Sequence, residues 1–427
     1  MIEFSSYQDT NTPWIGEIPT DWSLKSLKHI FTEKKSTKNP DLGCGSISFG
    51  KVVYKDDEKI PESTKESYQE VLDGEFLINP LNLNYDLKSL RIGLSRINVV
   101  VSQGYIVLNI KDGFVPDYFE YLLRKFDVEH MKSLGQGVRQ TISYTHLKDE
   151  KLVVPPVEEQ NRISRYLDKR TSRIDALINN IEKKIEVLKE QRTSLINQYV
   201  TKGLDPNVEM KDSGVEWIGE IPRHWEMRKI THATTLIGSG TTPKSDNEAY
   251  YLDGATNWLV TGDLNDGYVI QTSSKVTEKA LKDHSSLKLY PTGSLLMAMY
   301  GATIGKLGIL KVEVTVNQAT CVMNFNENNS VEFWFNVLFG NRNYIVSLGY
   351  GGGQPNISQG LIKSLRFPCP PTIKEQLEIV EAIKSRIGKH DSVIQMEHKR
   401  LLLSKEYRQS FISSVVTGKV RVTEEMI

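Results

Sequence analysis

The chain is written twice, and this repetition constrains its fold more than any other property. Trp14-Ile15-Gly16-Glu17-Ile18-Pro19 returns 203 residues later as Trp217-Ile218-Gly219-Glu220-Ile221-Pro222, and each copy closes on a tryptophan, Trp22 or Trp225. A second signature, Pro155-Pro156 leading to Glu159-Gln160, returns as Pro370-Pro371 leading to Glu375-Gln376, now 216 residues apart. The same spacing links Asp175 to Asp391, Ile178 to Ile394, Arg192 to Arg408 and Thr201 to Thr417, and Ile142-Ser143 matches Ile357-Ser358 at 215. Self-similarity of this kind sets an architecture before local propensity does. Each half runs from a tryptophan-flanked opening through a globular segment to a double-proline stop and a charged stretch. The frame repeats well, while the globular segments inside it hardly match. A duplication without functional symmetry is the plainer alternative.

The charged stretches have helical period. From about Glu158 to Val200, apolar residues fall at Ile163, Leu167, Ile174, Leu177, Ile181, Ile185, Leu188, Leu195 and Tyr199, in steps near three and four. Arg170 and Arg192 take seam positions, and the two steps of four from Leu177 to Ile185 are a local stutter. The prolines before, and Gly203 with Pro206 after, are start and stop signals. About 43 residues span roughly 64 Å, too long for one face of a small domain. A narrow seam of that length wants a second helix. The later copy supplies Ile379, Ile383, Val393, Ile394, Leu401, Phe411 and Val415, with His390 and Glu397 where the first copy has Ile174 and Ile181. Pairing within the chain is expected, and an antiparallel pair would set the two globular segments at opposite ends of a rod. An intermolecular coiled coil is the alternative. Arg162, Arg165, Lys169, Arg170 and Arg173 make the first helix basic near its start, which is a solvated face or a contact for a partner or a phosphate backbone.

The globular segments read as α+β. Strands are expected at 75–78, 105–108, 256–260, 293–300 and 314–316, and helices at 117–126 and 331–338. With 427 residues, 39% hydrophobic and 25% charged, the chain is an ordinary globular protein of two to four units. No apolar run approaches the roughly 20 residues that cross a bilayer, and no secretory signal is visible, so a cytoplasmic protein without membrane contact is expected. Cys44, Cys321 and Cys369 are too scattered for a disulfide framework or a zinc site.

Signatures of catalysis fall short. Gly301-Ala302-Thr303-Ile304-Gly305-Lys306 is one residue too short between its glycines for a phosphate-binding loop, and Leu307 stands where a hydroxyl should bind magnesium. Asn79-Pro80-Leu81-Asn82 resembles the Asn-Pro-Pro-aromatic motif of adenine methyltransferases but lacks the second proline and the aromatic residue. The histidines form no helix-spaced metal pair, and no nucleophile elbow is present. No catalytic residue and no metal ligand is therefore expected, and binding is the better reading. The formal net charge of +0 argues mildly against a nucleic-acid partner unless basic patches are local or a second protein adds grip.

Arg, Lys, Asn and Gln can each make two hydrogen bonds to a base edge. Candidates are Arg91, Arg96, Arg139 and Gln140 in the first half, and Lys244, Lys306, Asn317, Gln318, Gln354, Asn356 and Gln359 in the second. Tyr300 could pack on a sugar or base, and the glycines of Gly349 to Gly353 could let backbone approach DNA. Lys34, Lys35 and Lys38 are candidate phosphate contacts. For each of these a plain surface or turn role is the alternative.

The tryptophan-flanked opening, the segments Gly301 to Lys306 and Val316-Asn317-Gln318-Ala319, and the double proline leading through Glu-Gln into a long helix resemble the specificity subunits of type I restriction–modification enzymes. Gly74 to Ile78 and Val101 to Tyr105 echo the second half only loosely, which leaves the first half's binding residues less defined. The resemblance implies an α+β fold: target-recognition domains at 1–156 and 205–371, separated by two long antiparallel coiled-coil helices at 157–204 and 372–427 in a pseudo-twofold arrangement. It implies that each domain reads one half of a split double-stranded DNA target, with a fixed spacer between the halves. Two modification subunits would dock on the helices, bind S-adenosylmethionine and methylate adenine at N6. Restriction subunits using ATP and magnesium would cleave unmodified DNA, and this chain would hold no cofactor. A specificity partner of a type II or methylation-only system shares this architecture, and a coiled-coil scaffold for proteins is an alternative of another class.

Overall fold

In the computed structural model, which describes residues 4–81, 90–134, 142–350 and 356–427, the repeated signatures are joints. The chain forms two units, Met1–Glu182 with Lys399–Ile427, and Lys183–His398. In the first, Tyr7–Asp9 pairs antiparallel with Glu17–Pro19, and Ser23–Ser26 pairs with Lys151–Val154. The second pairing stitches the globular segment closed just before the double proline. The Trp22 indole donates to the Glu159 carboxylate at 2.9 Å. The Gln160 side-chain oxygen accepts from the Val115 amide at 3.0 Å, and its nitrogen donates to the Pro155 carbonyl at 2.8 Å.

The second unit repeats each joint. Met210–Asp212 pairs with Glu220–Pro222, and Glu226–Lys229 with Arg366–Cys369. The Trp225 indole donates to Glu375 at 2.8 Å, and Gln376 accepts from the Ser330 amide at 2.8 Å. Val115 and Ser330 are the N-caps of Pro116–Glu129 and Val331–Gly340. The Glu-Gln pair thus has a structural reason. Its glutamate takes the buried indole, and its glutamine takes a helix-end amide that would otherwise lack a partner. Each tryptophan also abuts the glycine that ends a long helix. A Cβ on Gly418 would lie 3.1 Å from the Trp22 ring, and one on Gly203 would lie 3.3 Å from the Trp225 ring. Both glycines have positive φ, the usual helix-terminating conformation.

Between the joints the units share a sheet that their sequences hide. The first unit orders its strands Phe31–Glu33, Ile106–Ile110, Phe76–Ile78, Ile92–Leu94; the second orders Thr234–Gly238, Thr320–Phe325, Leu295–Ala298, Leu307–Leu310, Gly267–Val269. Alternation splits the side chains between two faces. Phe76, Ile78, Ile106 and Leu108 meet helix Pro116–Glu129 in one core, while Leu77 and Val107 join Val52, Val71 and Val99 in another. In the second unit Leu295, Met297, Cys321 and Met323 face one core, and Leu296, Ala298 and Val322 the other. The expected 293–300 strand is shorter, because residues 299–300 leave the ladder for a loop.

The two long helices, Val157–Lys202 and Ile373–Val416, have 46 and 44 residues. In the first unit Arg408 clasps Asp175 through two bonds of 2.6 and 3.1 Å, and Lys405 reaches Glu182 at 2.7 Å. In the second, Arg192 reaches Asp391 at 2.7 Å and Lys184 reaches Glu397 at 2.6 Å. Partner numbers fall as helix numbers rise, so the pairing is antiparallel in each unit. Asp175 with Arg408 and Asp391 with Arg192 are repeat-related: each aspartate meets the arginine of the other copy. Glu397, in a seam position, is buried.

The seam itself runs through Ile163, Leu167, Ile181 and Ile185 as expected, but Ile178 is buried in place of Leu177, and Ile196 and Val200 in place of Leu195 and Tyr199. With Ile178 in the seam the steps to Ile181 and Ile185 become three and four, so the stutter read from Leu177 disappears. Val393, also expected in the seam, is exposed. Reversing one charge tests the clasp. Asp175→Arg costs about 1 kcal/mol by urea denaturation, and Asp175→Arg with Arg408→Asp recovers at least half, as partly exposed ion pairs allow. Equal losses in the single and double variants would show that the pair contributes nothing.

Candidate nucleic-acid interface

In the second unit, strands Thr234–Gly238 and Leu295–Ala298 end, and Thr320–Phe325 begins, at one end of the sheet, because Gly238 faces Val322 and Ala298 faces Thr320. Backbone bonds bind the segments there into one surface. The Gly240 amide donates to the Asn317 carbonyl at 3.3 Å, Met299 donates to Ala319 at 2.8 Å, and Ile357 donates to Met299 at 2.8 Å. Gly240 is required: a Cβ there would sit 1.7 Å from the Val316 carbonyl oxygen. This surface gathers Tyr300, Lys306, Asn317, Gln318 and Asn356.

Their side chains differ in readiness. Asn317 accepts from the Thr320 hydroxyl at 2.8 Å, which leaves its amide nitrogen as donor. Exposed Gln318 accepts from the Thr242 hydroxyl at 2.6 Å. Tyr300 is half-buried against the core. Lys244 and Asn356 are exposed, and Asn356 exchanges backbone bonds of 3.1 and 2.9 Å with exposed Tyr350. Gln359 opens the short helix Gln359–Ser364 and is half-buried. Gln354 lies outside the described residues.

Sequence reading missed the brace beneath the loop. Arg342 forks onto Asp266, which also accepts from the Leu307 amide at 3.0 Å, and Arg342 lies 4.8 Å over the Phe339 ring. Nothing in the local sequence links residues 266 and 342. The loop also differs in kind from a phosphate-binding loop. Residues 299–306 join two antiparallel strands and open no helix, so no helix N-terminus faces a phosphate.

In the first unit the candidates scatter. Arg91 is a correction: it is 5% exposed, its guanidinium bonds Asp127 at 3.1 Å, and its amide bonds the same carboxylate. A buried ion pair is costly to open, so this arginine serves the core. Arg96 is exposed and held by Asp117 and Glu120 on helix Pro116–Glu129. Lys34 is likewise spoken for, by Glu70 at 3.2 Å and Glu75 at 2.9 Å; Lys35 and Lys38 are exposed. Arg139 and Gln140 lie outside the described residues. Neutral surface pairing of this kind matches the net charge of +0.

The three cysteines are buried thiols, and burial pushes Cys321 and Cys369 up to about 12. Among the described residues no cluster of His, Cys, Asp or Glu is placed to hold a metal, and no helix is long and apolar enough to cross a membrane.

Each unit carries its own loop set at the end of a sheet of the same strand order, beside an antiparallel stretch of long helix, which defines a class of protein with a repeated frame and unlike loops. The sequence model of the type I restriction modification DNA specificity domain matches twice, at residues 19–187 and 222–400. The chain belongs to that family, and its function is DNA sequence specificity in a type I restriction–modification system. It is 25% identical to a putative type I restriction enzyme MjaX specificity subunit of Methanocaldococcus jannaschii, over 99% of each chain. It is 23% identical to the MjaVIII specificity subunit of the same organism, over 95% of this chain and 94% of that one. Among solved structures, a chain from a study of assembly and conformational transition in the type I system has the same fold, with a TM-score of 0.68, 12% identity, and coverage of 94% and 99%. The type II and scaffold readings are not favoured by these matches.

Proposed function

We propose that this chain reads a bipartite double-stranded DNA target, one half-site per globular unit, and that it is itself non-catalytic. The observation that carries this reading is the shared sheet order with unlike loops at its end, each set inside one match to a DNA specificity domain. The domain limits proposed are those of the repeat: recognition at 1–156 and 205–371, helices at 157–204 and 372–427. In the second unit the base-reading groups are Lys244, Tyr300, Lys306, Asn317, Gln318, Gln354, Asn356 and Gln359; in the first, Arg96, Arg139 and Gln140. Bidentate donors and acceptors at this density suit the major-groove code.

Two methyltransferase subunits dock on the long helices, which leave Met396, Leu402, Leu403 and Tyr407 exposed. Those subunits bind S-adenosylmethionine and methylate adenine at N6. Restriction subunits, with ATP and magnesium, act on unmodified DNA in the cytoplasm. Partners that add their own grip on phosphates reconcile DNA binding with a neutral chain. Methylome sequencing of host cells with and without this gene tests the proposal. Deletion abolishes one split N6-methyladenine motif and leaves others untouched; an unchanged methylome overturns the reading.

A further inference from the structure

The turn Phe49-Gly50 joins strands Gly45–Ser48 and Lys51–Tyr54, with Ser48 opposite Lys51. Both turn residues have positive φ, 48° at Phe49 and 74° at Gly50. Two-residue turns of this shape favour Asn-Gly, because the left-handed region suits asparagine and glycine and strains a bulky side chain. Phe49 nevertheless holds the first position, and it is 78% exposed. Neither packing nor turn geometry accounts for a large apolar group held in water on a disfavoured backbone. Strain of this kind collects at binding sites.

The tip is mounted firmly. A Cβ on Gly50 would lie 2.9 Å from the Leu90 side chain, and one on Gly93 would lie 2.9 Å from the Gly50 carbonyl oxygen. The turn therefore rests on strand Ile92–Leu94 at its Ile92 end, where Ile92 faces Ile78. By the shared strand order, this end of the first unit's sheet is the counterpart of the end that gathers Tyr300, Asn317 and Lys306 in the second. Ser48 and Lys51, both exposed, flank the ring with a hydroxyl and an ammonium suited to phosphate oxygens.

We propose that Phe49 is an apolar wedge that enters a base step of the half-site read by the first unit. The inference rests on the DNA-reading function proposed above. Inserted Phe side chains partly unstack a step and bend the duplex, which adds selectivity for deformable steps without base-edge hydrogen bonds. This supplies the first unit with a recognition device where Arg91 supplies none.

The test uses the full chain co-expressed with its methyltransferase, bound to the methylated motif's unmodified duplex carrying 2-aminopurine at successive positions. Phe49→Asn installs the favoured Asn-Gly turn, so the variant melts no lower than the native chain. It should nonetheless bind roughly tenfold more weakly, in line with loss of one aromatic stacking contact. The 2-aminopurine fluorescence gain that the native chain gives at one step of the first half-site should vanish, and readings in the second half-site should not change. Phe49→Trp should restore both affinity and signal. Unchanged affinity and fluorescence in Phe49→Asn overturns the wedge, as does weakened methyltransferase assembly with the DNA signal intact, which would make Phe49 a protein contact. A native complex that does not prefer the motif to a scrambled duplex removes the DNA-reading function itself; specific native binding with an indifferent Phe49→Asn removes the wedge alone.

Discussion

Trp225→Ala melts the second unit roughly 6–20 °C below the native chain, as followed by scanning calorimetry. The indole is fully buried, donates to Glu375, and packs on Gly203. Removing a buried tryptophan side chain costs about 3–5 kcal/mol, and each kcal/mol moves the midpoint of a unit this size by about 2–4 °C. The damage exceeds a simple cavity because three segments meet at the ring: the opening hairpin, the start of Ile373–Val416 and the end of Val157–Lys202. Trp225→Phe keeps much of the packing and loses the bond to Glu375, so it should fall by less than half as much. Glu375→Gln keeps an acceptor for the indole and should fall least. Trp22→Ala does the same to the first unit through Glu159 and Gly418. A Trp225→Ala midpoint within 2 °C of native would mean that the repeated motif is not a joint.

That joint shows what could be read from the sequence and what could not. The repeats marked Trp22, Trp225, Glu159 and Glu375 as important, yet a repeat gives no contact. That each glutamate receives an indole more than 130 positions away is a tertiary fact. Helix period gave the two long helices and most of the seam. It misplaced Leu177 and Leu195 because a one-residue phase is decided by the facing helix rather than by the stripe alone. Asp175 and Arg408 were each visible as halves of repeat pairs, but their crossing partnership follows only from antiparallel packing. Arg91 shows the limit for sites. An arginine beside a strand reads the same whether it faces DNA or a buried carboxylate, and Asp127 is 36 residues away. In the cluster around Asn317 only Gln318 is a neighbour in sequence; Tyr300, Lys306 and Asn356 join it through the sheet and its backbone bonds, and the Arg342 brace beneath is equally invisible in the sequence.

Exchanging residues 230–365 for the matching segment of a relative with another specificity should replace one half of the methylated motif completely and leave the other half unchanged. The boundaries follow from the frame. Glu226–Lys229 and Arg366–Cys369 pair with each other and stay with the host chain. Trp225, Glu375 and Gln376 stay as well, so the incoming segment must offer Gln376 an N-cap amide, as Ser330 does, and apolar residues that share a core with Ile196, Val200, Ile379 and Ile383, as Phe333, Trp334 and Val337 do. The sheet-end loops at 239–244, 299–306 and 317–319, Asn356, Gln359 and the Arg342 brace all lie inside the exchanged segment. Specific sites are distinguished from non-specific DNA by about 4–10 kcal/mol, and single mismatches cost about 1–3 kcal/mol each. A half-site exchanged at several positions should therefore lose essentially all methylation at the old motif. The chimera should still assemble with the methyltransferase, since both long helices are untouched. Retention of the original motif would place recognition outside the sheet-end loops. Loss of both half-sites with normal assembly and melting would mean that the two units do not read independently.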